Sequence, residues 1–173
     1  TADEQIVQWH ESLQLPTRKI GEIIVRRPVV TRSYDNNDKE NRLAKIKDEV
    51  TFWHRMGDLG YFDEKNRLWF CGRKGHRVVT TSGTMYSVCC EAIFNEHPHV
   101  FRSALVGIVM KGQQIPFMIV ELHNKKTDNE IFSDVKQVAL PHELTIGIEH
   151  LLIHHAFPVD VSHNAKMFRE QLS

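Results

Sequence analysis

The sequence predicts an α+β protein, and three observations carry that expectation. Between Trp53 and Gly75, two short apolar and aromatic runs at 61–62 and 68–70 flank the polar Asp63-Glu64-Lys65-Asn66-Arg67, the pattern of a β-hairpin. A strongly apolar run at 103–110 leads through Lys111-Gly112-Gln113-Gln114 into a second run at 116–122, which predicts another hairpin. Residues 88–95 and 131–138 carry helical spacing, so the second half mixes helices with paired strands. There are no repeats and no low-complexity linker.

Taken in order, residues 1–20 alternate charged and apolar side chains and end at Leu15-Pro16-Thr17, a short strand or helix leading to a turn. The β-branched run 21–30 reads as a strand, and Pro28 places it at an edge or an end. Asp35-Asn36-Asn37-Asp38 reads as a turn or helix N-cap, followed by a short amphipathic helix over 39–47. After the organising hairpin, 72–75 is a plausible boundary. Beyond it, 78–80 is a strand, Ser82-Gly83-Thr84 a turn, and 88–95 a helix that His97-Pro98 stops. Residues 123–129 form a polar loop, 144–154 have helical spacing, 157–166 are loop or strand, and 167–172 a last helical turn.

Composition excludes some functions. Lys+Arg and Asp+Glu are both 22 in 173 residues, so there is no electrostatic footprint for nucleic acid or acidic lipid, and no aromatic-basic stripe to read RNA. The local surplus at Arg26, Arg27 and Arg32 reads as a solvated strand edge. No apolar run approaches the roughly 20 residues of a membrane span. The opening Thr-Ala-Asp-Glu-Gln is no secretory signal, and without an initiator Met residues are expected upstream. Three cysteines, Cys71, Cys89 and Cys90, argue for a reducing compartment, expected to be the cytoplasm, and for buried thiols rather than a strained vicinal bridge. Among 11 histidines, His150 and His154 stand at helical spacing beside Glu149 and His155, which can hold zinc. No third ligand and no Cys-x-x-Cys or His-Glu-x-x-His accompanies them, so they read as a polar helix face and no metal site is expected.

The hairpin brings its two ends together, so Asp58, between Gly57 and Gly60, and Arg73 could face one ligand. A carboxylate accepts at both oxygens, which suits the paired hydroxyls of a ribose. A guanidinium offers a rigid fork of donors, which suits phosphate oxygens. The plain alternative is a surface Asp and Arg flanking a hairpin.

Residues 57–63, Gly-Asp-Leu-Gly-Tyr-Phe-Asp, and 68–73, Leu-Trp-Phe-Cys-Gly-Arg, resemble the closing motifs of the adenylate-forming superfamily of acyl-CoA synthetases, peptide-synthetase adenylation domains and luciferases. Three further matches keep the family's order. Gly21-Glu22-Ile23-Ile24-Val25 with Pro28 and Tyr34 resembles its Gly-Glu strand motif. Ser82-Gly83, Glu91, His97-Pro98 and Val100 resemble the start of its C-terminal domain. Asn164-Ala165-Lys166-Met167-Phe168-Arg169 stands where the family carries Thr-Gly-Lys. Each motif is weak alone; four in sequence are specific.

The resemblance implies that residues 1–72 are the end of a large N-terminal domain, 73–75 a hinge pivoting near Gly75, and 76–173 a small α+β lid. It implies that Lys166 is the catalytic lysine and that Asp58 and Arg73 bind the nucleotide. The cofactors would be ATP and Mg2+, held mainly by an N-terminal region that this chain lacks, together with the phosphate loop and acyl pocket. Alone, the chain is expected to make no adenylate. It departs from the family at four points. Asn164-Ala165 replaces Thr-Gly, Met56 a threonine, Gly75 an acidic residue or lysine, and Thr84-Met85 the site of an arginine in many coenzyme-A users. The tail 157–170 resembles the β-lactone synthetases of bacterial olefin biosynthesis, which implies a long-chain β-hydroxy acid as substrate and other olefin-pathway enzymes as possible partners. Two alternatives stay open: a long-chain acyl-CoA synthetase, and a non-catalytic interaction module, which Met56 and Asn164-Ala165 would favour.

Overall fold

The computed structural model describes residues 4–26, 43–49, 51–123, 129–139, 141–160 and 166–172. The chain divides into two units, Thr1–Gly75 and His76–Ser173.

The first unit is an antiparallel sheet built on one long strand. β1 (Gly21–Val25), β2 (Lys45–Asp48) and β4 (Leu68–Arg73) all pair with β3 (Thr51–Phe62). The expected hairpin is present, but β3 starts well before its aromatic pair, so Asp58 lies inside the strand rather than ahead of it. Asp63 closes the β3–β4 turn. Its carboxylate accepts from the Lys65 and Arg67 amides, both at 2.9 Å, from Arg67 Nε at 2.7 Å, and from Trp69 Nε1 at 3.0 Å. In place of the helix expected over 39–47, Lys45–Asp48 is a strand. Ile46 is buried between two lysines, a period of two, and pairs with Trp53. Pro28, Asp35 to Asp38 and the start of that segment lie outside the described residues. Arg55 ties the unit together from within, its side chain 5% exposed. It donates to Glu22 Oε2 through Nε at 3.0 Å and Nη2 at 2.5 Å, and through Nη1 to the carbonyls of Glu4 and Leu43.

The second unit opens with a small hairpin, β5 (Val78–Thr80) and β6 (Gly83–Met85). The helix α1 (Ser87–Asn95) follows. A long hairpin, β7 (Val100–Met110) and β8 (Gln113–Leu122), turns on Lys111 and Gly112, both at positive φ, as a two-residue hairpin loop demands. After α2 (Asn129–Ala139), β9 (His150–Ile153) adds parallel to β8. This overturns the helical reading of 144–154. Leu151 and Ile153 turn inward while His150 and Leu152 stay out, and His154 N continues the ladder to Val120 O at 2.8 Å. A short apolar run fits either period, and the open edge of β8 decides it. The tail forms a two-residue ladder, β10 (Val159–Asp160) with β11 (Lys166–Met167), then a 3-10 turn at Arg169–Gln171 in place of the expected helical turn.

Alternation along β7 and β8 covers both faces of this sheet. Leu105, Met118 and Val120 pack with Cys90 and Phe94 of α1, Val135 of α2, and Val78. Ala104, Val106 and Ile119 pack with Phe157, and with Val159, Met167 and Leu172 of the tail. Helices therefore cover one face and the tail carrying Lys166 covers the other.

Candidate nucleotide-binding site

Asp58 and Arg73 stand directly opposite each other across β3 and β4. Two irregularities put them there. The β1–β3 register shifts between Glu22 and Ile24, where β3 makes its excursion through Met56, Gly57 and Asp58. Gly57 takes φ +68, a left-handed turn of the backbone that costs glycine nothing. The β3–β4 register shifts between Leu59 and Gly60, where Cys71 is the additional residue in β4. Such bulges bend a strand and re-aim the side chains beside them.

Arg73 Nη1 lies 3.0 Å from Asp58 Oδ1 and donates to the Met56 carbonyl at 3.2 Å. Asp58 Oδ1 is buried, and apart from that ion pair it accepts no well-directed hydrogen bond. The carboxylate keeps 20% of its side chain open and the guanidinium 58%. The exposed part of that carboxylate beside an open guanidinium fits a ligand that offers hydroxyl donors together with anionic oxygens. Lys74 Nζ, next in the chain, reaches Glu22 Oε2 at 3.4 Å, so the residue after Arg73 is held by the same carboxylate that holds Arg55. Gly75 lies in the 3-10 turn Lys74–His76, where the two units meet in sequence, and a Cβ there would touch nothing within 4 Å.

Lys166 belongs to the second unit, where its backbone pairs with Asp160. The residues around it are fastened at two points. Before it, the Phe157 amide donates to Glu121 Oε2 at 2.8 Å, and Arg102 Nε donates to the same oxygen at 2.7 Å. Burial pushes the Glu121 carboxyl up, but these hydrogen bonds and the Arg102 charge outweigh it and leave the group below its ordinary range. After Lys166, Arg169 forks onto Glu91, Nη1 to Oε1 at 2.5 Å and Nη2 to Oε2 at 2.8 Å. Arg169 and Glu91 both stand out in the sequence as motif residues, but nothing there joins them, since 78 positions separate them.

Among the described residues no group of three His, Cys, Asp or Glu could hold a metal ion. His150 lies on β9, stacked on Phe117 at 4.4 Å, so Glu149, His150, His154 and His155 do not share a helix face. Cys71 and Cys90 are buried, and none of the three cysteines is in a disulfide. Burial pushes the Cys90 thiol up to about 12. No described helix is long and apolar enough to cross a membrane.

No protein-family model matches the chain. It superposes on the amide bond synthetase of Marinactinospora thermotolerans with a TM-score of 0.76 at 21% identity, over 98% of this chain and 34% of that one. It likewise matches the o-succinylbenzoate coenzyme A synthetase of Bacillus subtilis in complex with its acyl-adenylate intermediate (TM-score 0.75, 23% identity, 98% of this chain and 33% of that one). The same synthetase has been solved with ATP and magnesium ion. The fold is thus that of the C-terminal part of adenylate-forming enzymes. In sequence the chain is 44% identical over 179 residues to the olefin beta-lactone synthetase of Xanthomonas campestris pv. campestris, matching 99% of this chain and 32% of that protein. A second olefin beta-lactone synthetase, from Stenotrophomonas maltophilia, is 40% identical over 99% of this chain and 32% of its own length. The chain spans about a third of the length of these curated relatives.

Proposed function

We propose that the protein carrying this chain activates a long-chain β-hydroxy acid as an acyl adenylate and closes it to a β-lactone. The observation that supports the nucleotide part is the Asp58–Arg73 pair, in register beside the bulge with both side chains partly open; the similarity to olefin beta-lactone synthetases supports the ring closure. In this reading residues 1–72 complete a large adenylation domain, 73–75 form the hinge and 76–173 the lid.

In the first half-reaction a carboxylate oxygen of the acid bonds the α-phosphorus of ATP, and pyrophosphate leaves. Asp58 would accept from the ribose hydroxyls. Arg73 would turn its open donors to ribose or phosphate oxygens. Lys166 would bring an ammonium to the carboxylate and α-phosphate as negative charge builds there. Magnesium would travel with the nucleotide and be held by residues outside this chain. In the second half-reaction the substrate's own β-hydroxyl oxygen attacks the acyl carbon, losing its proton, and AMP leaves. Holding nucleophile and acyl carbon in one molecule favours that step. Three cysteines outside any disulfide fit a reducing cytoplasm.

The test is to incubate the full-length protein with ATP, Mg2+ and a long-chain 3-hydroxy acid, and follow AMP, pyrophosphate and product by mass spectrometry. Lactone formed without coenzyme A is the expected result. A strict thiol requirement would replace this reading with acyl-CoA synthesis. Lys166→Ala should lower ATP–pyrophosphate exchange by ~10²–10³-fold, the scale of losing one transition-state donor; unchanged exchange would remove Lys166 from the mechanism.

A further inference from the structure

Four groups meet at Leu105. Its amide donates to Glu91 Oε1 at 2.8 Å, and its carbonyl accepts from Arg169 Nη1 at 3.3 Å. The same two side chains fork onto each other, and both are largely buried, 16% exposed for Arg169 and 9% for Glu91. The helix that carries Glu91 is held to β7 by Ser103 Oγ, which reaches both the Glu91 carbonyl (3.2 Å) and Asn95 Oδ1 (2.8 Å). Arg169 is therefore tied to the middle of the outer strand β7 by a directional clamp, three residues beyond Lys166. By contrast, Lys166 sits in a ladder of only two residue pairs, with Phe168 N to Pro158 O at 2.9 Å closing it. A two-pair ladder does not hold its own register.

We propose that the Glu91–Arg169 clamp sets the position from which Lys166 acts, which makes Arg169 a positioning residue for adenylation. This rests on the reading of Lys166 given above. A displacement of about an ångström at a catalytic group can cost ~10²-fold in rate, and the clamp is the strongest directional contact described between the tail and the rest of the second unit.

Arg169→Met alone would leave Glu91 charged and buried, which threatens folding. The informative variant is therefore Glu91→Gln with Arg169→Met, in which the new side-chain amide oxygen still accepts from the Leu105 amide and no charge is stranded. In the full-length protein this pair should keep the wild-type unfolding midpoint while the Phe168 amide exchanges its hydrogen faster. Its kcat for ATP–pyrophosphate exchange should fall ~10–100-fold with KM for ATP unchanged within about two-fold, since Asp58 and Arg73 are untouched. Arg169→Lys, which keeps the charge and one hydrogen bond, should recover part of kcat. Wild-type kcat with a released Phe168 amide would overturn the catalytic role, and an unreleased amide would overturn the clamp itself. If wild-type protein shows no exchange of pyrophosphate at all, the adenylation reading falls first, and the Phe168 amide still decides whether the clamp holds the tail.

Discussion

Asp63 shows how one side chain can close a hairpin. Its carboxylate gathers the Trp69 indole, two turn amides and the Arg67 guanidinium. These hydrogen bonds, the Trp69 one foremost, hold its carboxyl far below the usual carboxylate range. A lowered pKa means that folding favours the ionised form. The stabilisation is complete above the unfolded value of about 4 and is lost as the pH falls below it. Glu121 acts in the same direction over the same acid range. Thermal unfolding followed by circular dichroism should therefore show stability falling from pH 5 toward pH 2. Asp63→Asn should be less stable at neutral pH and show a shallower acid decline; a decline as steep as wild type would contradict the assignment. The sequence marks 63–67 as a polar turn but cannot single out this aspartate, because its main partner, Trp69, reaches it from the returning strand. Asp58 and Arg73 are legible as a facing pair, since hairpin closure alone brings such ends together. Their direct opposition is not, because it depends on the register shift at Leu59 and Gly60.

Elements with two apolar runs around a turn are legible in the sequence, and so are the β-branched strands at 21–25 and 78–80, but two other short runs are not. Both hairpins follow from alternation plus turn chemistry, which are local. Residues 45–48 and 150–153 have spacing that suits a helix, yet both are strands because a neighbour, β3 or β8, offers a free row of backbone partners. No window on the sequence contains that neighbour. Gly60 illustrates how tightly these strands meet. A Cβ there would lie 2.6 Å from the Trp69 carbonyl oxygen and 3.1 Å from Ile23 Cδ1. Since the first obstacle is backbone, the strands themselves must shift, and Gly60→Ala should destabilise the first unit by about 1–3 kcal/mol. Urea unfolding measures this, and an unchanged midpoint would mean that the bulge beside Gly60 absorbs the methyl group.

At the scale of the molecule, the sequence suggests a boundary near 72–75, where the polar Arg73-Lys74-Gly75-His76 follows the last aromatic strand, and the structure divides at Gly75. A hinge here is a proposal, and it has a direct test. Alanine at 75 meets open space, so Gly75→Ala should leave the unfolding midpoint unchanged. Gly75→Pro fixes φ and removes a donor, and it should alter kcat and KM of the full-length protein together; kinetics identical to wild type would place the pivot elsewhere. The second unit can be read as α+β from its own residues, whereas its sheet's two-sided burial cannot, because the tail that covers one face lies far along the chain from the strands it covers. That covering has a further effect at Leu105. β7 is an outer strand of its sheet among the described residues, and an outer strand is a template on which a foreign chain can add itself. At Leu105 both backbone groups are already taken by a carboxylate and a guanidinium, so an incoming strand finds no vacancy there and would have to displace a matched pair of charges. The contact that fastens the tail thus also guards the sheet against growing from one molecule into the next.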